Sequence, residues 1–418
     1  MQYSIAIIGS GISGLAAAWL LGKNHKVTLF EKAPETGLGS NGKVLPTDFG
    51  NIRIDIPPRV FNAKHYKALT ELANNSDTET YEIYQQASFS DSQGVPFLSF
   101  RTFGKADHSI TLPKLNWRNS KWLLKHGADL LRWERFMRSA AVDTISDATT
   151  IRSFLDGMSI SESFRESFLY PMWALMCTCT HAEIDNFPAQ AMVALFRDFT
   201  ANFATLRLKG GTLALEKKLS INIHQKHFNS QIESIEKQNQ SWNVHFNGRV
   251  QNFDHVIVAT EPRNAIAILP KGSEEIRLIE KVPTYETEMV LHSDDSLMPR
   301  SSWAPVNLIY SKNLRRSTAT IWMNKIEQTS LSKNIYQTWD PIHEPNENTV
   351  LARKTFQRSL ANIDSQIAMK ELRDLMQLQP GRQLWFVGSY VWEGVPLLEN
   401  GVRSAKFVAE CINKNSLR

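Results

Sequence analysis

Four short apolar runs recur along the chain: Ile5 to Ile8, Val27 to Phe30, Val256 to Ala259 and Leu384 to Val387. None alternates with polar residues, so each reads as a strand covered on both faces of a parallel sheet. The first is followed by Leu15 to Leu21, apolar throughout, which predicts a buried helix, and then by the strand Lys26 to Phe30. Leu206 to Leu208 with Gly210-Gly211 predicts strand, turn and helix start. Gln231 to Glu236 and Ser241 to Phe246 alternate as half-buried strands, and Asn247-Gly248 supplies a hairpin turn. Asn400-Gly401 is expected to open a final helix through Arg403, Ala405, Val408 and Cys411.

These elements fall in three pieces, 1–65, 205–270 and 350–418. The segments between them, 66–204 and 271–349, are expected to form a second domain, with Glu286 to His292 and Thr318 to Asn324 as strands roofing a pocket. The expected fold class is α/β: a discontinuous Rossmann-type domain interleaved with an α+β substrate domain. A length of 418 residues suits two domains.

The apolar start invites two other readings. No basic segment precedes Ile5 and no small-residue cleavage site follows, which argues against a secretory leader. Gly9, Ser10, Gly11, Ser13 and Gly14 interrupt the run, which argues against a membrane span. The glycines fit a phosphate cradle instead. Gly9, Gly11 and Gly14 form G-x-G-x-x-G between strand and helix: one glycine for the turn, one for close approach of a pyrophosphate, one for helix-on-strand packing. Glu31 ends the second strand, where an acid binds an adenosine ribose and disfavours a 2′-phosphate, so FAD or NAD is expected rather than NADP.

Composition adds limits. With 42% hydrophobic and 21% charged residues the chain is globular, and a net charge of +5 implies no nucleic-acid partner. Cys177, Cys179 and Cys411 are too few for a disulfide framework, so a reducing cytoplasm is expected. Cys177-x-Cys179 lacks a second pair for zinc, and no metal site is expected.

The chain resembles the FAD-dependent amine oxidase and phytoene desaturase superfamily over nearly its whole length. "GSGISGLAAAWLL" with "LFEK", "LKGGTLAL", "HVIVAT" and "LWFVGSYVWEGVPLLENGVRSA" carry the resemblance. "RVFNAKHYKALTEL", "SFRESFLYPMWALM" and "DNFPAQAMVALF" narrow it to a bacterial branch of NAD/FAD-binding proteins. The resemblance implies an FAD domain of the glutathione-reductase type and non-covalent FAD, since no cysteine matches near Gly388-Ser389-Tyr390. Gly9, Gly11 and Gly14 would line the pyrophosphate, Glu31 with Lys32 the ribose, and Ile232 the adenine. Thr260 would pass near the dinucleotide, Gly388 and Ser389 would form the second phosphate-and-ribityl loop, and Gly401 and Val402 would turn N–H groups toward the isoalloxazine.

Departures stand beside these matches. The family's Gly-Gly pair is split as Gly37-Leu38-Gly39, with Gly39 kept as a cofactor contact. Asp55-Ile56-Pro57-Pro58 stands where the branch has Asp-Thr-Gly, and Ser389 replaces an Asp. The lysine that many amine oxidases hold near flavin N5 has no counterpart: Glu288 or Met289 falls there, and Lys281 lies too early.

Tyr390 and Trp392, after the flavin loop, and Trp322, with Asn324 on the roof strand, are the catalytic candidates. Glu393 and Glu399 are nearby acids that could serve as a base or lie on the surface. Trp173, Met176 and His181 read as core or structural. Lys114 to Arg138 mixes basic residues with Trp117, Trp122 and Trp133, a pattern that suits a bilayer surface. The implied function is an FAD-dependent oxidoreductase taking hydride from a C–H bond of an apolar organic substrate, as a desaturase or oxidase on a lipid or specialised metabolite. An amine oxidase acting on a C–N bond and a flavin-binding protein without turnover are the alternatives.

Overall fold

The apolar runs assemble into one parallel sheet, in the order Gln225–His227, Lys26–Phe30, Ser4–Ile8, His255–Val258, Leu384–Phe386. This is seen in a computed structural model that describes residues 1–38, 41–47, 50–83, 86–103, 110–114, 116–200, 205–299, 304–327 and 331–416. Ile5, Ile7, Val27, Ile257 and Val258 have no exposed surface, as unbroken apolar strands require. The helix Ile12–Leu21 packs between this sheet and the final helix Leu398–Ser416. An antiparallel meander, Ile232–Gln238, Ser241–Phe246 and Arg249–Phe253, is held to the sheet through Phe30, whose ring lies 4.8 Å from Phe246 and 5.8 Å from Phe253.

A second sheet has eight strands: Val350–Ser359, Thr284–His292, Tyr336–Trp339, Arg316–Trp322, Val306–Ser311, Ala87–Ser90, Pro96–Phe103, Ile110–Pro113. All its pairs are antiparallel except Val306–Ser311 with Ala87–Ser90. The helix Tyr170–Cys177 lies on its centre, and Trp133, Trp173 and Phe196 interlock edge to face beneath it. The fold is therefore α/β with an interleaved α+β unit, as expected.

Three expectations shift. The strand Val350–Ser359 belongs to the second sheet, where it pairs with Thr284–His292, so the change of unit comes after Ser359 rather than at 350. The roof strand ends at Trp322 and passes into the helical turn Met323–Ile326. The final helix starts at Leu398, so Gly401 lies inside it, its N–H bonded to Leu397 O at 3.2 Å.

Two buried histidines give the fold a pH dependence. His255 Nδ1 accepts from Trp385 Nε1 at 3.1 Å, and His292 Nδ1 accepts from the Asp294 N–H at 3.2 Å. Each ring must stay neutral to accept, and burial lowers each pKa to about 4. The unfolded chain binds these protons near pH 6.5 and the folded chain does not, so stability is complete above pH 6.5 and falls toward pH 4. Urea midpoints measured from pH 7.5 to 5 should decline, and His255→Asn should flatten the decline above pH 5.5, where few carboxylates titrate.

Candidate functional site

A cavity of about 1010 Å³ opens where the two sheets meet. That is at the upper end of ordinary ligand pockets, about 300–1,000 Å³. One end is built from the glycine loop and the ends of the parallel strands: Gly11, Gly37, Thr260 and Gly388 line it. The other is apolar, with Phe168, Met172, Met176, Phe196 and Trp339 among its walls.

The glycines take the roles their spacing implies. Gly9 has φ +104°, and a Cβ there would sit 2.7 Å from Ala259 O. A Cβ on Gly14 would fall 2.0 Å from Gly9 O. A Cβ on Gly11 meets nothing within 4 Å and would project into the open cradle. Gly11 caps the helix Ile12–Leu21, whose first N–H groups favour an anion.

Glu31 is 9% exposed and already bound by its own chain. It accepts from Ser10 N at 3.1 Å, Ser10 Oγ at 2.5 Å and Ala33 N at 2.9 Å. Ser10 Oγ in turn accepts from Gly37 N at 2.7 Å. The acid therefore holds the cradle's second loop, and the remaining lone pairs of its carboxylate stay open to a diol. Lys32 is exposed beside it. Ile232 is buried and follows Ser230, whose N–H bonds Glu31 O at 2.9 Å, so it adjoins the end of that strand. Gly39 lies outside the described residues.

Thr260 lines the cavity, and its Oγ1 is buried without a partner among the described residues. Ser389 lines it too, whereas Gly388 gives its N–H to Ser404 Oγ at 3.0 Å. Gly401 and Val402 do not present free N–H groups to the cavity, because both are past the first turn of the final helix. A Cβ on Gly401 would meet Ser13 Oγ at 2.6 Å, so this glycine serves helix packing. The residues that border the cavity at this end are Pro396, Leu397 and Leu398.

Of the catalytic candidates, only Tyr390 reaches the cavity. It is 4% exposed, its hydroxyl has no partner among the described residues, and burial raises its pKa, with the charge of Glu261 adding to the effect. Trp392 points elsewhere, against Phe407 and under the guanidinium of Arg373. Trp322 is also misplaced by the sequence reading. Its neighbour Ile321 lines the cavity, and alternation along the strand puts Trp322 on the opposite face, bonded to Asn334 Oδ1 at 3.2 Å. Asn324 staples the loop below through the N–H of Ile335.

Glu399 is neither a base nor a surface acid. It is 2% exposed, and its oxygens accept from Ala68 N and Leu69 N, both at 3.0 Å, capping the helix Lys67–Asn75. Asp55 likewise binds Thr212 N and Oγ1, both at 2.8 Å, and packs into the Gly210-Gly211 turn. His181 is held between Glu166 at 2.9 Å and Ser317 at 2.8 Å. Glu288 pairs with Arg353 at 2.9 Å, Met289 is fully buried, and no lysine is among the described residues lining the cavity. No cluster of metal-ligating side chains occurs among the described residues.

Sequence reasoning missed Trp339, Arg59 and Arg358, which all line the cavity. Arg59 follows Pro57-Pro58, the one altered loop that could have drawn attention to it. Arg358 and Trp339 lie on strands whose partners are remote in sequence.

The fold and cradle are those of a Rossmann-like domain. Residues 7–75 match the NAD(P)-binding Rossmann-like domain family. The whole chain shares its fold with a protein from Exiguobacterium sp. 255-15 provisionally named a protoporphyrinogen oxidase, with TM-score 0.69, 16% identity and 99% of each chain covered. It is similar to an oxidoreductase from Methanosarcina mazei, with TM-score 0.65, 14% identity and coverage of 97% of this chain and 100% of that one. It is also similar to cyclohexylamine oxidase from Brevibacterium oxydans IH-35A, with TM-score 0.63, 14% identity and full coverage of both chains. Comparison of the sequence with curated proteins finds no match.

Gly11→Ala and Gly14→Ala separate cofactor binding from folding. Gly11→Ala should cost at most about 1 kcal/mol of stability but abolish dinucleotide binding. Gly14→Ala should unfold or strongly destabilise the domain. Thermal melts alongside cofactor titration read both.

Proposed function

We propose that the protein is an FAD-dependent oxidoreductase that oxidises a C–H bond of a largely apolar organic substrate. The observation that carries this reading is one continuous cavity, with a glycine cradle and the orphaned Thr260 hydroxyl at one end and an apolar chamber at the other. Those residues fit a dinucleotide: the open face at Gly11 suits a pyrophosphate, and Thr260 and Ser389 offer hydroxyls. Bound FAD would supply a two-electron acceptor at the junction of the two parts.

The chain's own contribution is positioning and exclusion of water. Phe168, Met176 and Trp339 provide dispersion contacts that hold an apolar substrate against the cofactor end. The positive end of the final helix, beside Leu398, favours negative charge nearby. Tyr390 keeps its proton across the working range and acts as a donor, not a base. Glu31, Asp55 and Glu399 are committed to N–H groups, no lysine is on the described walls, and the acids that do line the cavity are Glu82, Glu134 and Glu261, the last with its pKa raised by burial. Described walls without a lysine favour oxidation by hydride loss over amine chemistry with an oxygen-activating lysine.

The outer face of the helix Trp117–Met137 supports contact with a membrane surface as part of this reading. Trp122 and Trp133 are core residues, 7% and 0% exposed, contrary to a lipid-facing role. Trp117, Leu124 and Leu131 are 72%, 89% and 70% exposed and recur every seven residues on one face, flanked by Lys121 and Lys125. Leu130 and Glu134 of the same helix, and Arg138 capping its C-terminus, line the cavity. No described helix is long and apolar enough to cross a membrane.

The purified protein, reconstituted with FAD, should absorb near about 375 and 450 nm and release the chromophore on heating. Anaerobic bleaching by a substrate makes it an enzyme; a folded protein that takes up no FAD ends the reading. Vesicles containing anionic lipid should float with the wild type but not with Leu124→Ser/Leu131→Ser or Lys121→Glu/Lys125→Glu. Unchanged flotation removes the membrane contact.

A further inference from the structure

Burying a charged side chain away from water is costly unless an opposite charge or a full set of hydrogen bonds replaces the lost hydration. The arginines of this chain obey that rule at most buried positions. Arg207, Arg373 and Arg382 are 2%, 9% and 6% exposed. Their carboxylate partners are Glu327 at 2.5 Å, Glu393 at 3.5 Å and Glu275 at 2.9 Å. Arg353, on the strand Val350–Ser359, contacts three carboxylates: Glu288, Glu344 and Glu347.

Two half-buried arginines have no such partner, and both line the cavity. Arg358 stands five residues after Arg353 on that same strand, and Arg59 follows Pro57-Pro58. Neither guanidinium has an ion pair or hydrogen bond to a described residue. The charges that reach them do not compensate. Arg358 is near Tyr66, Cys177 and Cys179, and burial raises all three groups, the Cys177 thiol to about 12, so they are neutral at pH 7. Asp55 acts on Arg59 only at a distance, because both its oxygens are bound by Thr212. Burial and the charge of Arg358 together lower Arg59 to about 10, which still leaves it a cation.

We propose that Arg59 and Arg358 form an anion-binding subsite in the cavity and that the substrate is an apolar acid, its carboxylate held by the two guanidiniums and its hydrocarbon body by the chamber of Phe168, Met172, Met176 and Phe196. Guanidinium geometry matches a carboxylate fork to fork, with charge-assisted bonds. Two such groups on different elements fix both the position and the direction of a long substrate, which sets the C–H bond presented at the cofactor end. The inference rests on the reading of this cavity as the substrate pocket. It adds what that reading leaves open, the headgroup.

The test uses the FAD-reconstituted protein and three ten-carbon probes: decanoate, decan-1-ol and decylamine. Binding is followed by calorimetry. The wild type should bind decanoate at least about tenfold more tightly than either neutral or cationic probe. Arg358→Met and Arg59→Met should each cut that preference to near unity while keeping FAD, with melting temperatures equal to or above the wild type, because each removes an unpaired charge. Arg358→Lys should keep part of the preference. Equal binding of the three probes by the wild type overturns the proposal. So does a preference that survives both Met variants, or Met variants that lose FAD with the preference intact, which would give the arginines to the cofactor. A wild type that takes up no FAD defeats the flavoenzyme reading alone, and the same titration of the flavin-free protein still decides the anion preference.

Discussion

The helix Ile12–Leu21 can occupy its place only because three positions around it carry no side chain. A Cβ on Gly14 would collide with Gly9 O, one on Gly9 with Ala259 O, and one on Gly401 with Ser13 Oγ. These contacts draw the helix onto the parallel sheet from one side and onto the final helix from the other. They fix where the free N–H groups of its first turn point, and they bring the ends of the strands Ser4–Ile8 and His255–Val258 level with those of Leu384–Phe386. The cofactor end of the cavity is a consequence of that close packing. Nearby, Ser10 extends the arrangement outward, donating to Glu31 and accepting from Gly37, which ties the glycine loop to the loop after the second strand.

Three acids near the cavity are spent on backbone rather than chemistry. Glu31 binds the N–H groups of Ser10 and Ala33, Asp55 that of Thr212, and Glu399 those of Ala68 and Leu69. Each satisfies donors at a helix start or a loop that would otherwise be orphaned. The polar groups that line the cavity include the hydroxyls of Thr260, Ser389 and Tyr390, the carboxylates of Glu82, Glu134 and Glu261, and the two arginines. Such an inventory can orient a substrate and neutralise a negative charge.

The parts of this design that depend on local rules were legible in the sequence. A strand, a tight turn and a helix dictate G-x-G-x-x-G within a few residues, and unbroken apolar runs announced the parallel sheet. The parts that depend on register were not. Trp322 was placed on the cavity because its strand was recognised, yet a shift of one position decides which face a side chain takes, and Ile321 has the inward place. Val350–Ser359 was given to the wrong unit because its partner strand lies some sixty residues earlier, and nothing in its own sequence names that partner. Glu399 looked like a possible base because the helix Lys67–Asn75, whose N–H groups it caps, is more than three hundred residues away. Buried charge is the hardest to read, since compensation is a property of the folded neighbourhood. Arg353 and Arg358 are alike in sequence, and only the structure separates the one held by three carboxylates from the one that faces the cavity alone.

The proposed subsite and the proposed lipid-facing helix meet one demand by different means. An apolar acid partitions into a bilayer with its carboxylate at the surface, where its headgroup is hydrated and its chain is not. A receptor for it needs a cationic outer face to approach an anionic surface and a cationic inner group to replace the headgroup's water. The helix Trp117–Met137 carries Lys121 and Lys125 on its outer face and borders the cavity with Leu130 and Glu134, so one element borders both environments. Long-range attraction at the outer face raises the encounter rate and is screened by salt. Contact with Arg59 and Arg358, shielded inside the protein, is screened far less and sets selectivity. The two effects therefore separate by ionic strength: salt should weaken vesicle binding steeply while leaving the preference for decanoate over decan-1-ol nearly unchanged.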